Sequence, residues 1–421
     1  MRIEEGLFFF APLDFGGPPN PQEQQTNLFA NKENTIRFPP FHGLSGIVMP
    51  LGRIVSNEQA IGELGLTRLN DNNEPIPLTP EGLAKMTGFR QRSWIDGVPP
   101  ENQFPTQTSY GTWLRDNLFG PAGKEAITQG LAVANMQPGD IDKWFVGSTD
   151  GPDGLPEALL LGKDAFYIRA ACPAGGLLLH ELWQREDQYL GKNVFAVFSE
   201  ILSPVTPPDI TRAIFADTAT TVLVQNYGER FRVLYSAFVP TPDTDNVLQA
   251  RPLYENPPGF DWSDPSQMVQ ITDRGMTVFY RPSTSEYRVV IGPKLAEWVK
   301  NSVLPTIVTF VDNYNKMHPG EEIDLSQIMI VGHQANGKML TNSERNLMGL
   351  LAKKNQAVSR VRMPFVYDDV GNTSGPAVLG ALNMIVRDPQ YVDFSDGKPK
   401  RLLVIGFGAG LLCTCALVEI R

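Results

Sequence analysis

Apolar runs of strand length alternate with longer amphipathic segments from about residue 43 onward. The runs at 144–147 and 328–332 are short, apolar and closed by a glycine, and each follows a segment of helical periodicity that stops at a Pro-Gly pair. Buried strands that alternate with helices are typical of α/β proteins, whose sheets are covered on both faces. The pattern therefore predicts an α/β fold.

The same succession of elements occurs twice. Residues 136–147 and 317–332 share a Pro-Gly pair, an acidic turn and an apolar strand, and residues 170–176 and 371–377 each place small residues before a helix. A third pair, 213–224 and 402–412, has the pattern strand, small-residue turn, strand. These matches predict an internal duplication with a period of roughly 185 residues, far longer than a solenoid repeat. Two halves related by a pseudo-twofold axis would bring their strand ends together, where ligand sites form.

Two stretches lack periodicity. Residues 1–42 are rich in Pro, Asn, Gln and Phe, and residues 236–285 contain many prolines among acidic residues. Prolines at this density exclude long regular elements. We therefore expect an irregular N-terminal extension at 1–42, a first half at 43–235, an irregular insertion at 236–285 and a second half at 286–421. Such an insertion is a candidate lid or lining of a substrate entrance.

Composition narrows the function classes. The chain has 421 residues, more than one ordinary core accommodates, which fits two fused halves. The net charge of −10 argues against a nucleic-acid-binding surface. Three cysteines are too few for a disulfide framework and favour a reducing cytoplasm. The four histidines are far apart and no Cys-x-x-Cys pair occurs, so no metal site is expected.

One apolar stretch is long enough to be mistaken for a membrane span. The seventeen residues 402–418 carry no charge, but glycines occupy positions 406, 408 and 410. Two buried strands joined by a glycine turn fit this stretch better, and it is slightly short for a bilayer. Near residue 1, Glu4, Glu5 and Pro12 interrupt the apolar run that a signal peptide requires. We therefore predict no membrane segment, no secretion signal and a cytoplasmic location.

The chemistry is concentrated at three predicted strand ends. An apolar strand stops at Cys172, and small residues then open a helix, whose N-terminus favours the thiolate over the thiol. His333 follows the strand at 328–332, and Asn372 follows Gly371 in a turn before a helix. Taken singly, the thiol fits a small buried residue, the imidazole a structural one, and the carboxamide a turn or N-cap. Together, the three groups indicate acyl transfer through a cysteine nucleophile.

Five motifs resemble those of the thiolase superfamily, specifically β-ketoacyl-ACP synthase III. In chain order they are Met-Thr-Gly-Phe-Arg-Gln-Arg at 86–92, Ala-Ala-Cys-Pro-Ala-Gly at 170–175, Gly-His-Gln-Ala-Asn at 332–336, Gly-Asn-Thr-Ser at 371–374 and Gly-Phe-Gly-Ala-Gly at 406–410. The resemblance covers roughly residues 43 to 421. It implies a duplicated, five-layered αβαβα fold and a homodimer.

The resemblance also implies roles for individual residues. Cys172 takes an acyl group as a thioester, while His333 and Asn372 stabilise the enolate that forms when a malonyl unit loses CO2. The backbone N–H groups of Cys172 and Ala409 form a second oxyanion hole. Candidate contacts to the substrate or to CoA are Arg212, Asn336, Leu155 and Gly408. Asp217 is expected to organise a turn, and Glu157 is either a solvated carboxylate or a group that reaches the partner subunit's site.

The chain departs from the family where CoA is held. Relatives stack the adenine of CoA on a tryptophan that corresponds here to Gly82, and the expected basic residue is Met86. An acyl group that arrives on the arm of an acyl carrier protein would not need either contact. CoA thioesters and acyl carrier protein thus both remain candidate donors, and no cofactor is expected.

The sequence therefore predicts a β-ketoacyl synthase III-like enzyme that performs a decarboxylative Claisen condensation with a malonyl-type thioester. The extension at 1–42, the insertion at 236–285 and the missing tryptophan suggest a specialised pathway, such as polyketide or other secondary metabolism, rather than the initiation of fatty acid biosynthesis. One alternative is acyl transfer to an alcohol or amine without a new carbon–carbon bond. A non-enzymatic alternative is a pseudo-synthase that only supports a heterodimer.

Overall fold

The computed structural model describes residues 27–69, 75–99, 103–149, 152, 154–159, 165–168, 170–206, 210–240, 248–250, 269–272, 275–278, 289–291, 295–354, 360–408 and 411–421. Residues 1–26 of the predicted extension and most of the predicted insertion lie outside the described residues.

The strands form two large sheets and several two-stranded ribbons. In chain order they are β1 (Ile36–Phe41), β2 (Leu44–Pro50), β3 (Arg53–Ser56), β4 (Thr67–Leu69), β5 (Pro75–Pro77), β6 (Gln91–Trp94), β7 (Lys143–Gly147), β8 (Phe166–Ile168), β9 (Val194–Glu200), β10 (Thr218–Val224), β11 (Phe231–Pro240), β12 (Leu248–Ala250), β13 (Val269–Thr272), β14 (Gly275–Val278), β15 (Val289–Ile291), β16 (Met329–Gly332), β17 (Lys400–Gly408) and β18 (Leu412–Ile420). The first large sheet has the order β1-β2-β10-β9-β7-β8, and the second has the order β11-β18-β17-β16.

Helices cover both faces of the two sheets. In chain order they are α1 (Asn57–Leu64), α2 (Pro80–Thr87), α3 (Gln107–Leu114), α4 (Gly120–Ala134), α5 (Leu155–Ala158), α6 (Ala174–Gln184), α7 (Glu186–Tyr189), α8 (Ile210–Ile214), α9 (Leu295–Trp298), α10 (Leu304–Met317), α11 (Gly337–Lys353) and α12 (Ala377–Arg387). Helix α4 packs on the outer face of the first sheet, and α10 packs on the second sheet and on α11. Helices α6 and α12 contact each other between the sheets, so the predicted layer order αβαβα is confirmed.

The internal duplication is visible in the strand topology. In both sheets a parallel pair, β7 with β9 and β16 with β17, is extended by antiparallel neighbours in the same order. Strands β2 and β11 occupy equivalent outer positions. The first sheet adds β1 and β8 at its edges.

The same duplication explains two π-helical turns. Arg115–Phe119 precedes α4, and Val299–Val303 precedes α10. Each of these helices has a proline at its second residue, Pro121 or Pro305. Because proline has no N–H to donate to the preceding turn, the helix widens there. The repeated proline therefore indicates that the two outer helices are copies of one element.

Two predictions about irregular segments need correction. Strand β1 lies inside the predicted extension 1–42, where Pro39 and Pro40 concealed it; proline is tolerated because β1 is an edge strand. Strand β11 continues to Pro240, past the predicted start of the insertion at residue 236. The described parts of 241–285 hold only strands of three or four residues, as the proline content suggested.

The third sequence repeat was partly wrong. Residues 213–224 are not two strands, since α8 ends at Ile214 and only β10 follows. The equivalent of β10 in the second half is β18, and that of β9 is β17. The prediction for 402–418 is confirmed: β17 and β18 form an antiparallel pair from Lys400 to Ile420, buried along almost all of its length.

Candidate active site

Cys172 lies between β8 and the first turn of α6. Ala171, just before it, has a positive φ of 45°, and Pro173 precedes the first helical residue. This tight turn places the sulfur at the positive end of the helix dipole, in a nearly enclosed site. The predicted order of strand, thiol and helix is therefore present.

A second turn of the same shape meets the first one. Ser374 has a φ of 55°, and Pro376 precedes α12 as Pro173 precedes α6. The Gly175 N–H donates a hydrogen bond of 3.1 Å to the carbonyl oxygen of Gly375. The two helix starts are thus pseudo-symmetric partners, and Gly375 occupies the position that corresponds to Cys172.

The cysteine sulfur contacts the second turn directly. Cys172 Sγ lies 3.5 Å from Ser374 Oγ, which in turn lies 2.7 Å from Thr149 Oγ1. The Thr149 N–H donates to Glu200 Oε2 at 3.0 Å. Three hydroxyl or thiol groups and one carboxylate therefore form a buried polar chain from α6 to the ends of β7 and β9.

His333 follows the last residue of β16. Its N–H bonds to the carbonyl of Ile405 on β17 at 2.8 Å, and its ring meets the edge of Phe407 at 5.5 Å between centroids. The side chain is only 1 % exposed, and neither ring nitrogen has a hydrogen-bond partner among the described residues. Burial lowers the pKa of the imidazole from 6.5 to about 3, so the ring is neutral at physiological pH.

Asn372 is held by its backbone and by its side chain. Its N–H donates to Ile214, its carbonyl accepts from Ala216, and its Oδ1 accepts from the Ser374 N–H at 2.9 Å. Because the oxygen of the carboxamide is bound in this way, the NH2 group is the end left to meet another acceptor. Gly371, with a φ of 90°, allows the chain to turn into this position.

The end of β17 connects these groups. A Cβ at Gly408 would lie 2.4 Å from Cys172 Cβ and 3.2 Å from its sulfur. Phe407, which contacts His333, is the preceding residue. The structure therefore brings Cys172, His333, Asn372 and Gly408 to one edge of the paired sheets. Ala409, the predicted second oxyanion donor, lies outside the described residues, so its role stays a prediction.

Other predicted substrate contacts have structural partners. Asn336 caps α11 by accepting from the Met339 N–H, and its NH2 group donates to the carbonyl of Met86 on α2. Arg212 donates to the carbonyl of Thr206 at 2.7 Å. Leu155 is fully buried in the apolar cluster beside α4, which is separate from the cluster that surrounds the nucleophile turn. For these three residues substrate contact stays a prediction.

Two acidic residues behave differently. Asp217, fully buried, accepts from the N–H groups of Ile95, Leu202 and Ser203 and from the Ser203 hydroxyl, which agrees with the predicted role in a turn. Glu157 is exposed, and its charge acts on Arg115 of the same chain.

Sequence reasoning missed the polar chain beside the sulfur. Ser374 belongs to the Gly-Asn-Thr-Ser motif at 371–374, in which the resemblance gives a role only to Asn372. Glu200 left a signal, because it is a charged residue at the end of an otherwise apolar run, Val194–Glu200, and a buried charge needs a specific partner.

In the described part of the chain, neither a metal site nor a membrane-spanning helix is present. There, no group of three or more His, Cys, Asp or Glu side chains is arranged to hold a metal ion. Among the described helices, none has the length and apolar character needed to cross a bilayer. None of Cys172, Cys413 and Cys415 forms a disulfide.

Comparison with known proteins gives a fold and no sequence family. No protein-family model matches the chain, and no curated protein matches it. Among solved structures, 3-oxoacyl-[acyl-carrier-protein] synthase III from Aquifex aeolicus VF5 is similar with a TM-score of 0.58 and 15 % identity, covering 92 % of this chain and 100 % of that one.

Two further structures agree. The synthase III from Pseudomonas aeruginosa PAO1 has a TM-score of 0.58 and 18 % identity, with 92 % and 98 % of the chains covered. The fungal type III polyketide synthase ORAS has a TM-score of 0.57 and 17 % identity, with 90 % and 100 % covered. The chain therefore has the thiolase-like α/β fold, as its motifs indicated.

Proposed function

We propose that this protein is a condensing acyltransferase of the β-ketoacyl synthase III type. The observation that carries the proposal is the end of β17, where Gly408 packs against Cys172 at its helix N-terminus and the neighbouring Phe407 contacts His333, a buried, neutral imidazole whose nitrogens have no partner among the described residues. A buried polar group without a partner is costly unless a ligand supplies one. Such a pair suits acyl chemistry on a thioester.

In the first half-reaction, the Cys172 thiolate attacks the carbonyl carbon of an acyl thioester. A new C–S bond forms, the donor thiolate leaves, and the acyl group remains on the enzyme. The helix N-terminus favours the thiolate that this step requires.

In the second half-reaction, a malonyl-type thioester loses CO2, and the electron pair of the broken bond gives an enolate. The proton on Nε2 of neutral His333 and the NH2 group of Asn372 donate to the enolate oxygen. Each such donor typically contributes about 3–4 kcal/mol to the transition state. The carbanion carbon then attacks the acyl carbonyl, the C–S bond breaks, and Cys172 leaves as a thiolate.

The donor we favour is an acyl carrier protein. The positions where relatives hold CoA are Gly82 and Met86, and Met86 is exposed at the end of α2. Two of the similar structures are named 3-oxoacyl-(acyl carrier protein) synthase III, so an acyl carrier protein appears in the name of their product. A homodimer, a cytoplasmic location and a role in a specialised pathway stay predictions of the sequence.

The proposal is tested in two stages. The purified protein is incubated with a panel of acyl-CoA and acyl-carrier-protein donors, and the mass added to the intact chain is measured; we expect an acyl adduct that Cys172→Ala lacks. A labelled malonyl thioester is then added, and release of labelled CO2 that depends on the acyl donor is expected. No adduct with any donor would overturn the proposal. An adduct that passes to an alcohol or amine without CO2 would favour simple acyl transfer instead.

A further inference from the structure

Ser374 places a polar side chain against the nucleophile. Its hydroxyl lies 3.5 Å from the sulfur, within the range of a hydrogen bond to sulfur, and it is almost fully buried. The left-handed backbone of Ser374, at a φ of 55°, turns this side chain toward α6. A serine in that conformation is uncommon, and strained backbone of this kind is concentrated at functional sites.

The hydroxyl has a second partner that sets its direction. Thr149 Oγ1 lies 2.7 Å from Ser374 Oγ, and the Thr149 N–H is held by Glu200 Oε2. When the sulfur carries a proton, S–H can donate to Ser374 and Ser374 to Thr149. When the sulfur is ionised, the chain reverses, so that Thr149 donates to Ser374 and Ser374 donates to the thiolate. A hydroxyl does both because it is donor and acceptor at once.

The charges around the sulfur make this donor important. The buried carboxylate of Glu200 approaches the same turn, since its Oε1 lies 3.0 Å from the position of a Cβ at Gly375. When ionised, this carboxyl group would oppose a second negative charge on the sulfur. His333 is neutral, and Asp217 is bound by its own hydrogen-bond donors. The guanidinium group of Arg92 donates to Asn57, its one hydrogen-bond partner among the described residues, and its side chain lies against Gly371. The α6 N-terminus and the Ser374 hydroxyl are therefore two groups placed to compensate a thiolate here.

We infer that Ser374 is a further catalytic residue: its hydroxyl donates a hydrogen bond to the Cys172 thiolate, and Thr149 orients that hydroxyl as a positioning residue. The inference deepens the proposed function, because a stabilised thiolate is what the acyl-transfer step needs. It differs from the roles of His333 and Asn372, which act on the substrate oxygen. No proton leaves Ser374 in this role.

The test follows alkylation of Cys172 by iodoacetamide across pH, with the alkylated residue identified by peptide mass mapping. Loss of one charge-assisted hydrogen bond is expected to move the midpoint of the rate profile up by about one pH unit in Ser374→Ala. Ser374→Gly also lacks the hydroxyl but relieves the backbone, so both variants are expected to shift alike. If either variant keeps the wild-type midpoint, the inference is wrong.

Thr149 supplies an independent pair of variants. Thr149→Val is expected to raise the midpoint by a smaller amount, and Thr149→Ser, which restores a hydroxyl, is expected to return it toward wild type. Ser148→Ala is the matched control, because Ser148 is also buried and its hydroxyl has no partner among the described residues. A shift in Ser148→Ala equal to that of Ser374→Ala would assign the effect to general perturbation and overturn the inference.

This readout needs no acyl donor. If the Ser374 variants show the expected rise in the alkylation midpoint but wild type forms no acyl adduct, the proposed function is wrong and the thiolate contact is supported. Acyl adducts in wild type, together with pH profiles of alkylation that do not shift in the Ser374 variants, would support the proposed function and overturn the thiolate contact.

Discussion

Acid is expected to destabilise the native protein through its buried histidines, and the largest part of the effect comes from the imidazole of His333. The unfolded chain protonates this ring with the ordinary pKa of 6.5, whereas the buried ring has a pKa of about 3. Below pH 6.5 the unfolded state therefore binds a proton that the folded state excludes. The free energy of unfolding falls as the pH drops through this window, until both states are protonated below the folded pKa.

The size of the effect follows from the two pKa values. Between pH 7 and pH 5 the linkage relation gives a loss of about 2 kcal/mol from this ring alone. His180 also has a pKa lowered by burial, so it acts in the same direction. A comparison with a His333 variant removes that common contribution.

The assay is urea unfolding at pH 7 and pH 5, followed by tryptophan fluorescence. His333→Gln removes the titrating group, so its loss of stability between the two pH values is expected to be about 2 kcal/mol smaller than that of wild type. His318→Gln, at an exposed position, is the control and is expected to track wild type. If His333→Gln and wild type lose stability in parallel, the reasoning about the buried neutral ring is refuted.

Three further substitutions test the packing around the site. Gly408→Ala is expected to abolish acylation of Cys172 in intact-mass measurements, because the new Cβ would lie 2.4 Å from the Cβ of the cysteine. The control is Gly349→Ala, which has no neighbouring atom within 4 Å and is expected to be acylated like wild type. Full acylation of Gly408→Ala would contradict the packing. Asn336→Ala is expected to lower the free energy of unfolding by about 1 kcal/mol, because the N-cap of α11 is lost. Asn336→Asp keeps a capping oxygen and is expected to retain most of that stability. If both variants lose the same amount of stability, the cap is not the cause. Asp217→Asn is expected to lower the free energy of unfolding by about 3 kcal/mol or more in urea, because the new NH2 group would face N–H and O–H donors that now bind a carboxylate. An unchanged unfolding midpoint would exclude this network as a source of stability.

The duplicated fold could be predicted because each repeated element is specified by residues that are close together in the sequence. A Pro-Gly helix end, an apolar strand and a small-residue turn each depend on neighbouring residues, and both copies keep them in order. The apolar stretch at 402–418 was resolved into two strands by its glycines alone. Strand β1 was missed because its two prolines suggest irregular chain, and only its edge position in the sheet makes them acceptable.

The candidate site could be predicted only in part. The motifs named the sulfur, the imidazole and the carboxamide, which the structure brings to one edge. The contact of Ser374 with Thr149 joins residues 225 positions apart, so no local pattern announces it. The resemblance suggested Leu155 as a substrate contact, which stays a prediction, whereas its burial beside α4 is decided by tertiary packing that no local pattern shows.

The position of β18 has a consequence for how the protein is made. This strand, buried along its whole length, lies between β11 and β17, and both of those strands leave the ribosome before it does. Until β18 arrives, each of them presents an apolar edge of unpaired amide groups, which is a template for association with other chains. Damage to β18 is therefore expected to appear first as insoluble nascent protein, rather than as a soluble enzyme of reduced stability.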